Sequence, residues 1–248
     1  MTEKIFKILI LILMVLYLIV AIIKRFVYYK PKNQHKILTE NYIDITYRNI
    51  HCWKHHSDIS DKIVIICHGN SGNISYYNDK IEGFKNLGYS VLIFDYAGFG
   101  KSPGIPSENQ TYIDVSYILS MVLKTYKKED IILYGFSMGG PIATYAARRF
   151  DIKTLILESP LTGINEYIKI KYPYAKIFAF MFNEYNIYTH LKGYKGRILL
   201  MYSQEDEVIH HTTMEKLREY TDYYMNITGT HSHSVIDWNG VRDFIENL

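Results

Sequence analysis

Ile131-Ile132-Leu133-Tyr134-Gly135-Phe136-Ser137-Met138-Gly139-Gly140 is the stretch on which the reading of this chain turns. An unbroken apolar run leads into a serine bracketed by glycines, and the residues after it read as a helix through Ala147. Strand, sharp turn and helix in that order are the setting of a nucleophile elbow. The outer glycines are needed because a side chain at either position would strike the neighbouring strand or helix. Ser137 is thereby pushed out at the top of a sheet, at a helix N-terminus whose amides favour developing negative charge. A glycine-rich turn without chemistry can carry the same string; the strand before it and the helix after it favour catalysis.

Working outward, five short apolar runs recur, at 63–67, 91–94, 131–134, 155–157 and 198–201. Continuous rather than alternating hydrophobicity marks strands covered on both faces, as in a parallel sheet. Segments of helical periodicity separate them near 74–87, 112–126, 138–150 and 212–220. This alternation predicts an α/β fold with a mostly parallel, doubly wound sheet and helices on both faces. Two alternating segments, 42–47 and 50–54, read as antiparallel strands ahead of it, and a strand near 223–227 with a helix near 235–247 closes it. The stretch 161–194 breaks the rhythm and is rich in Tyr and Phe. It reads equally as a crossover packed on the sheet or as a small cap offering an apolar surface to acyl chains.

A serine hydroxyl is a poor nucleophile near neutral pH and needs a base, itself oriented by an acid. On this topology the partners follow in the order Ser, Asp/Glu, His. Asp206 is the preferred acid: it sits just beyond the run 198–201, at the carboxyl edge where ligands bind. Glu158, ending the preceding run, competes with it, while Glu205 and Glu207 read as solvated loop charges. His231, directly after the last predicted strand, is the expected base, with His233 as the fallback. His51, His55, His56, His210 and His211 have no catalytic context. The oxyanion donors are expected to be the amides of Met138 and of Asn70, the latter in the small-residue loop His68-Gly69-Asn70-Ser71-Gly72-Asn73. One such donor is worth about 2.7–4 kcal/mol of transition-state stabilisation. His68 is expected to hold that loop.

Several other readings are excluded. Gly100-Lys101-Ser102 mimics the end of a phosphate-binding loop, but Asp95 stands where its leading glycine is required. The Gly98/Gly100 pair lacks the third glycine of a dinucleotide fingerprint, since Pro103 occupies that place. His231 and His233 with Asp237 suggest a metal set, but no further ligands accompany them, so neither metal nor cofactor is expected. A formal charge of +3 and the lack of a basic stripe argue against nucleic-acid binding. Two cysteines, Cys52 and Cys67, do not make a disulfide framework.

Taken together these residues resemble the α/β-hydrolase superfamily of serine hydrolases. The resemblance is closest to its small single-pass membrane-anchored α/β-hydrolase-domain proteins, which include protein depalmitoylases and lysophospholipid lipases. It runs from residue 37 to the C-terminus and rests on His68-Gly69-Asn70-x-Gly72-Asn73, Asp95-Tyr96-x-Gly98-x-Gly100-x-Ser102, Gly135-x-Ser137-x-Gly139-Gly140, Glu158-Ser159-Pro160-Leu161-Thr162, Asp206-Glu207-Val208-Ile209 and Gly229-Thr230-His231. It implies Ser137 as nucleophile, Asp206 as acid and His231 as base, acting through an acyl-enzyme on esters or thioesters of lipids or acylated proteins. Two departures touch the acid loop: Ser203 stands where glycine is common, and His210 where proline is common. A serine peptidase on the same fold, or a membrane scaffold that has kept the fold without chemistry, are the rival expectations.

Residues 8–23 contain no polar side chain except Tyr17, and Ile5-Phe6 extend the run beyond Lys7. About 16–19 helical residues span roughly 24–28 Å, enough for a thin bilayer. Bulky Ile22-Ile23 run into Lys24-Arg25 without a small-residue cleavage site, so an uncleaved anchor is expected rather than a signal peptide. Residues 1–36 are therefore read as membrane anchor and tether, and 37–248 as the catalytic domain. Lys24, Arg25, Lys30, Lys32 and Lys36 outnumber Lys4 and Lys7, which favours a cytoplasmic domain, with the endoplasmic reticulum a candidate membrane. Asn73, Asn109 and Asn226 open formal glycosylation sequons and argue the other way. The charge argument is preferred.

Overall fold

The computed structural model describes residues 2–27 and 42–247; the boundary read between residues 36 and 37 lies outside them. The first helix, α1, covers Thr2–Val27, longer at both ends than the apolar run alone suggests. Its stretch Glu3–Ile22 is long and apolar enough to cross a membrane, and none of it is buried.

Nine strands among the described residues form one sheet in the order β1-β2-β4-β3-β5-β6-β7-β8-β9. The hairpin of β1 (Ile43–Tyr47) and β2 (Ile50–His55) joins antiparallel to β4 (Ser90–Phe94). From β4 the sheet runs parallel through β3 (Ile63–Cys67), β5 (Ile131–Phe136), β6 (Thr154–Glu158), β7 (Arg197–Ser203) and β8 (Tyr223–Thr230). Every residue of β3, β4, β5 and β6 is buried, which is why their sequences show no polar alternation. Successive residues feed opposite faces. Ile63, Ile65, Leu133 and Leu155 pack with α3 (Glu108–Val122) and α4 (Gly139–Phe150). Val64, Ile66, Ile132 and Ile156 pack with α2 (Asn78–Asn86) and α8 (Trp238–Glu246).

The chain passes from β3 to β4 on one side of the sheet, then returns to lay β5 on the other side of β3. The loops leaving β3 and β5 therefore diverge, and a crevice opens where they part, as at the switch point of any open α/β sheet. The loop after β3 carries Asn70, and the turn after β5 carries Ser137.

Local chemistry accounts for the differences from the sequence reading. The helix expected over 74–87 begins as a 3-10 turn, Ile74–Tyr76, capped by the Asn73 side chain, and becomes α2 only at Asn78. The segment expected at 112–126 starts earlier, because Ser107 Oγ accepts the Gln110 amide. The closing helix starts at Trp238, because Asp237 caps it through the amides of Asn239 and Gly240. That role occupies the aspartate considered as a metal ligand. Strand β9 (His233–Val235), antiparallel to β8, was not anticipated; three residues are too short for a legible period. The stretch 161–194 folds as α5 (Ile164–Lys171), a 3-10 segment (Pro173–Met181) and α6 (Ile187–Leu191), followed by α7 (His211–Leu217) after β7. It packs on the core, as the crossover reading expects, through Ala179, Phe182 and Ile187, and Tyr167, Tyr172 and Tyr174 line a cavity.

Candidate active site

Ser137 follows the last residue of β5 with φ of +53°, a left-handed conformation that non-glycine residues adopt only where their surroundings hold them. Its amide donates to the Glu158 carbonyl at 3.1 Å, and its carbonyl accepts the amides of Gly140 at 2.9 Å and Leu161 at 2.8 Å. Glycine at 139 is obligatory: a Cβ there would lie 1.8 Å from the Cys67 carbonyl oxygen. One at Gly135 would lie 2.6 Å from the Gly139 carbonyl. The elbow is thus clamped between β3 and β6.

The structure brings Ser137, Asp206 and His231 together. His231 Nε2 lies 3.0 Å from Ser137 Oγ, and its Nδ1 lies 2.8 Å from Asp206 Oδ2. The other carboxylate oxygen, Asp206 Oδ1, accepts the amides of Val208 at 2.9 Å and Ile209 at 2.7 Å. Burial works against ionisation of Asp206, but the hydrogen bond and charge of His231, with the Ile209 amide, outweigh it and hold the carboxyl below its ordinary range. Such a carboxylate fixes the imidazole with Nδ1 as donor and leaves Nε2 free to accept the serine proton. The Phe136 ring lies 4.9 Å from the imidazole and walls its other side.

The surrounding loops are fixed by groups whose roles the sequence did not reveal. Glu205 and Glu207, expected to be solvated, accept the amides of Gly229 and His231 at 3.2 and 3.0 Å and tie the histidine loop to the acid loop. The two departures from the family pattern both have local partners. Ser203 Oγ accepts the Glu205 amide, and His210 caps α7 through Thr212. Glu158, the competing acid, is fully buried and faces Lys80 Nζ at 2.7 Å, with Ser234 Oγ also donating to it. Lys80 Nζ reaches Ser234 Oγ at 2.6 Å as well, so α2, β6 and β9 meet at one ammonium. Burial pushes the Glu158 carboxyl up, against the opposing pull of Lys80. No spacing rule links positions 80, 158 and 234, which is why this cluster was missed. The fallback His233 lies in β9 and lines the cavity without a place in the Ser137–His231–Asp206 chain.

The loop after β3 is braced from beneath. His68 is fully buried; its Nδ1 donates to the Gly69 carbonyl at 2.7 Å, while Tyr96 OH donates to the His68 carbonyl at 3.0 Å. Burial lowers the His68 pKa, so the ring stays neutral. Asp95 Oδ1 accepts the Ile74 amide at 3.0 Å, and Oδ2 meets His51 Nδ1 at 2.8 Å. Asp95 and His51 thus serve the loop and the hairpin. Asn70 and Met138 both line the cavity that holds Ser137 and His231. This cavity has a volume of about 720 Å³, and Phe136, Leu161, Ile164, Ile168, Val208 and Ile209 give it an apolar wall. It is of the size and character that take small organic or acyl ligands.

Known proteins agree with this architecture. Residues 58–194 match the family described as serine aminopeptidase, S33, a stretch that includes Ser137 and stops short of Asp206 and His231. An uncharacterised membrane protein of Saccharomyces cerevisiae is 28% identical over 231 residues, covering 87% of this chain and 80% of its own length. A lysophosphatidylserine lipase, ABHD12 of Macaca fascicularis, is 33% identical over 129 residues, 49% of this chain and 32% of the lipase, so the match spans about a third of that protein. Among solved structures, the Pyrococcus furiosus esterase Pf2001 superposes with a TM-score of 0.68 at 20% identity, covering 88% of this chain and 97% of the esterase. Fold, elbow and family match converge, and the chain belongs to the serine aminopeptidase S33 family of α/β hydrolases.

Proposed function

We propose that this protein is a membrane-anchored serine hydrolase that cleaves carboxylic esters or thioesters of lipids or acylated proteins. The observation that carries the reading is His231 standing 3.0 Å from Ser137 Oγ and 2.8 Å from Asp206. His231 Nε2 takes the hydroxyl proton as Ser137 Oγ bonds to the acyl carbon, and the carbonyl π pair moves onto oxygen. The Asn70 and Met138 amides stabilise that oxyanion. Collapse expels the alcohol or thiol, which leaves with the proton from His231, and an acyl-Ser137 ester remains. Water deprotonated by His231 then attacks the ester, and the acid product departs as Ser137 regains its proton.

Three observations favour acyl substrates. The cavity wall is apolar, α1 is long enough to span a bilayer, and a relative covering about half of this chain is a lysophosphatidylserine lipase. The family description keeps peptide amides in the screen. The basic residues after the span support a cytoplasmic domain. The buried Asn73, bonded through Oδ1 to the Ser75 amide and hydroxyl, leaves no room for a glycan on one of the opposing sequons.

The test is Ser137→Ala in the full chain, assayed on acyl esters, acyl thioesters and peptide amides side by side. Hydrolysis should fall by about a millionfold, and labelling by a fluorophosphonate should disappear. A wild-type chain that takes no label would instead be a scaffold. Undiminished turnover by the alanine variant would overturn the assignment of Ser137.

A further inference from the structure

The segment Pro173–Met181 is a 3-10 helix, and three residues per turn bring positions i, i+3 and i+6 onto one line. Tyr174, Ile177 and Phe180 occupy that line and are 84%, 73% and 69% exposed, forming an apolar ridge on the surface. The ridge is held from below, since Ala179 and Phe182 are buried in the core. Its first residue, Tyr174, also lines the cavity that holds Ser137, so the ridge leads directly away from the pocket mouth. Tyr76, half-exposed, lines that same cavity.

Charge frames the ridge in a specific way. Between Glu166 and Glu184 there is no acidic residue, while Lys169, Lys171 and Lys176 interrupt the aromatic and aliphatic side chains. Lys169 pairs with Glu166 at 2.8 Å and Lys171 donates to the Glu207 carbonyl at 3.0 Å, so the charge at the ridge is chiefly that of the exposed Lys176, next to Ile177 in sequence. Exposed tyrosine, phenylalanine and isoleucine interleaved with lysine are the composition of surfaces that lie in a headgroup layer, the rings at the acyl boundary and the ammoniums among the phosphates. The same chain carries, in α1, a helix long and apolar enough to hold it to a bilayer. Residues 28–41 link the span to the first strand, and a link of that length reaches at most roughly 50 Å when fully extended. The domain then stays at high effective concentration beside one leaflet, where even a weak apolar contact is populated.

We propose that the ridge Tyr174–Ile177–Phe180 docks into the anionic leaflet that holds α1, setting the cavity mouth at the depth of the acyl chains. An acyl group then passes from leaflet to cavity without crossing water. The proposal rests on the bilayer attachment read for α1 and is independent of the chemistry at Ser137.

Both native cysteines are fully buried, so single exposed positions can be labelled selectively. Ile177→Cys, Met14→Cys within the span, and Ile59→Cys are each made in the full chain and labelled with an environment-sensitive fluorophore. Ile59 is 85% exposed and precedes β3, at the opposite sheet edge from the pocket. The proteins are reconstituted in phosphatidylcholine–phosphatidylserine vesicles carrying doxyl-labelled acyl chains. Quenching is expected at 177 and at 14 but not at 59, and the signal at 177 should weaken in vesicles of phosphatidylcholine alone. Quenching at 14 without quenching at 177 overturns the docking and leaves the anchor standing. Quenching at 177 without quenching at 14 overturns the anchor instead. A blue shift at 177 without quenching places the ridge against another protein surface, and equal quenching at 59 shows contact without orientation; either result overturns the proposal.

Discussion

Ser137 is half-buried at the elbow with a left-handed backbone, and the hydrogen bonds to Glu158, Gly140 and Leu161 hold it there. Three side chains from separate loops then meet at distances suited to proton transfer. The most telling electrostatic feature is Asp206, whose carboxyl lies below its ordinary value of 3.8 because His231 and the Ile209 amide outweigh its burial. A depressed folded pKa contributes stability that is complete above the unfolded value and is lost as pH falls through the folded one. Asp206→Asn removes that contribution. The gap in melting temperature between wild type and this variant should therefore be constant near neutral pH and close progressively in strong acid. Thermal unfolding of both proteins across that range checks it; a gap that widens in acid contradicts the assigned shift.

Between elements, the site is braced by Lys80 from α2, Glu158 from β6 and Ser234 from β9. A buried ion pair adds little over a well-packed apolar pair, but removing one partner strands the other, at a cost of about 3–5 kcal/mol. Lys80→Met should destabilise the fold by that order, since Glu158 is fully buried and, among the described residues, its Oε2 already has no hydrogen-bond partner. Without the ammonium, burial raises the Glu158 carboxyl further. A raised folded pKa favours the fold below the unfolded value, and that advantage is lost as pH rises through the folded one. The deficit of Lys80→Met relative to wild type should accordingly be largest near neutrality and shrink on mild acidification; chemical denaturation at two pH values measures it. This brace also marks where legibility stopped. The strands β3 to β6 announced themselves because burial on both faces leaves an unbroken apolar run. Strand β9 and the Lys80–Glu158–Ser234 contact left no trace, because their residues are adjacent only after β6, β8 and α2 have packed.

At the scale of the whole molecule, α1 and the sheet domain are chemically distinct. No residue of Glu3–Ile22 is buried in the protein, only Val20 packing partly against the core, whereas the sheet is covered on both faces by its own helices. A chain lacking residues 1–36 is therefore expected to leave the carbonate-resistant membrane fraction and to melt at the same temperature as the full chain. Fractionation and calorimetry test the two halves of that statement separately. A large loss of melting temperature would mean that the domain does not begin where the sequence suggests. The same separation explains the mixed character of 161–194. Its composition could not say which aromatic side chains face the core and which face the cavity or solvent, because over so short a run a three-residue period is not distinguishable in sequence from the 3.6-residue period of an α-helix.

By itself the sequence determined the α/β architecture, the serine elbow and the identities of Asp206 and His231 as the residues to examine. These follow from chain-local physics: apolar runs of strand length, turn glycines that no other residue can replace, and a fixed order of loops along a parallel sheet. Only the tertiary structure decided that Asp206 rather than Glu158 faces the imidazole, that Glu205 and Glu207 serve the histidine loop, and that Tyr174 lines the cavity while Ile177 and Phe180 stand exposed on the surface. Those outcomes depend on which side chains converge across elements far apart in the chain, and convergence is set by packing rather than by any spacing a linear pattern can carry.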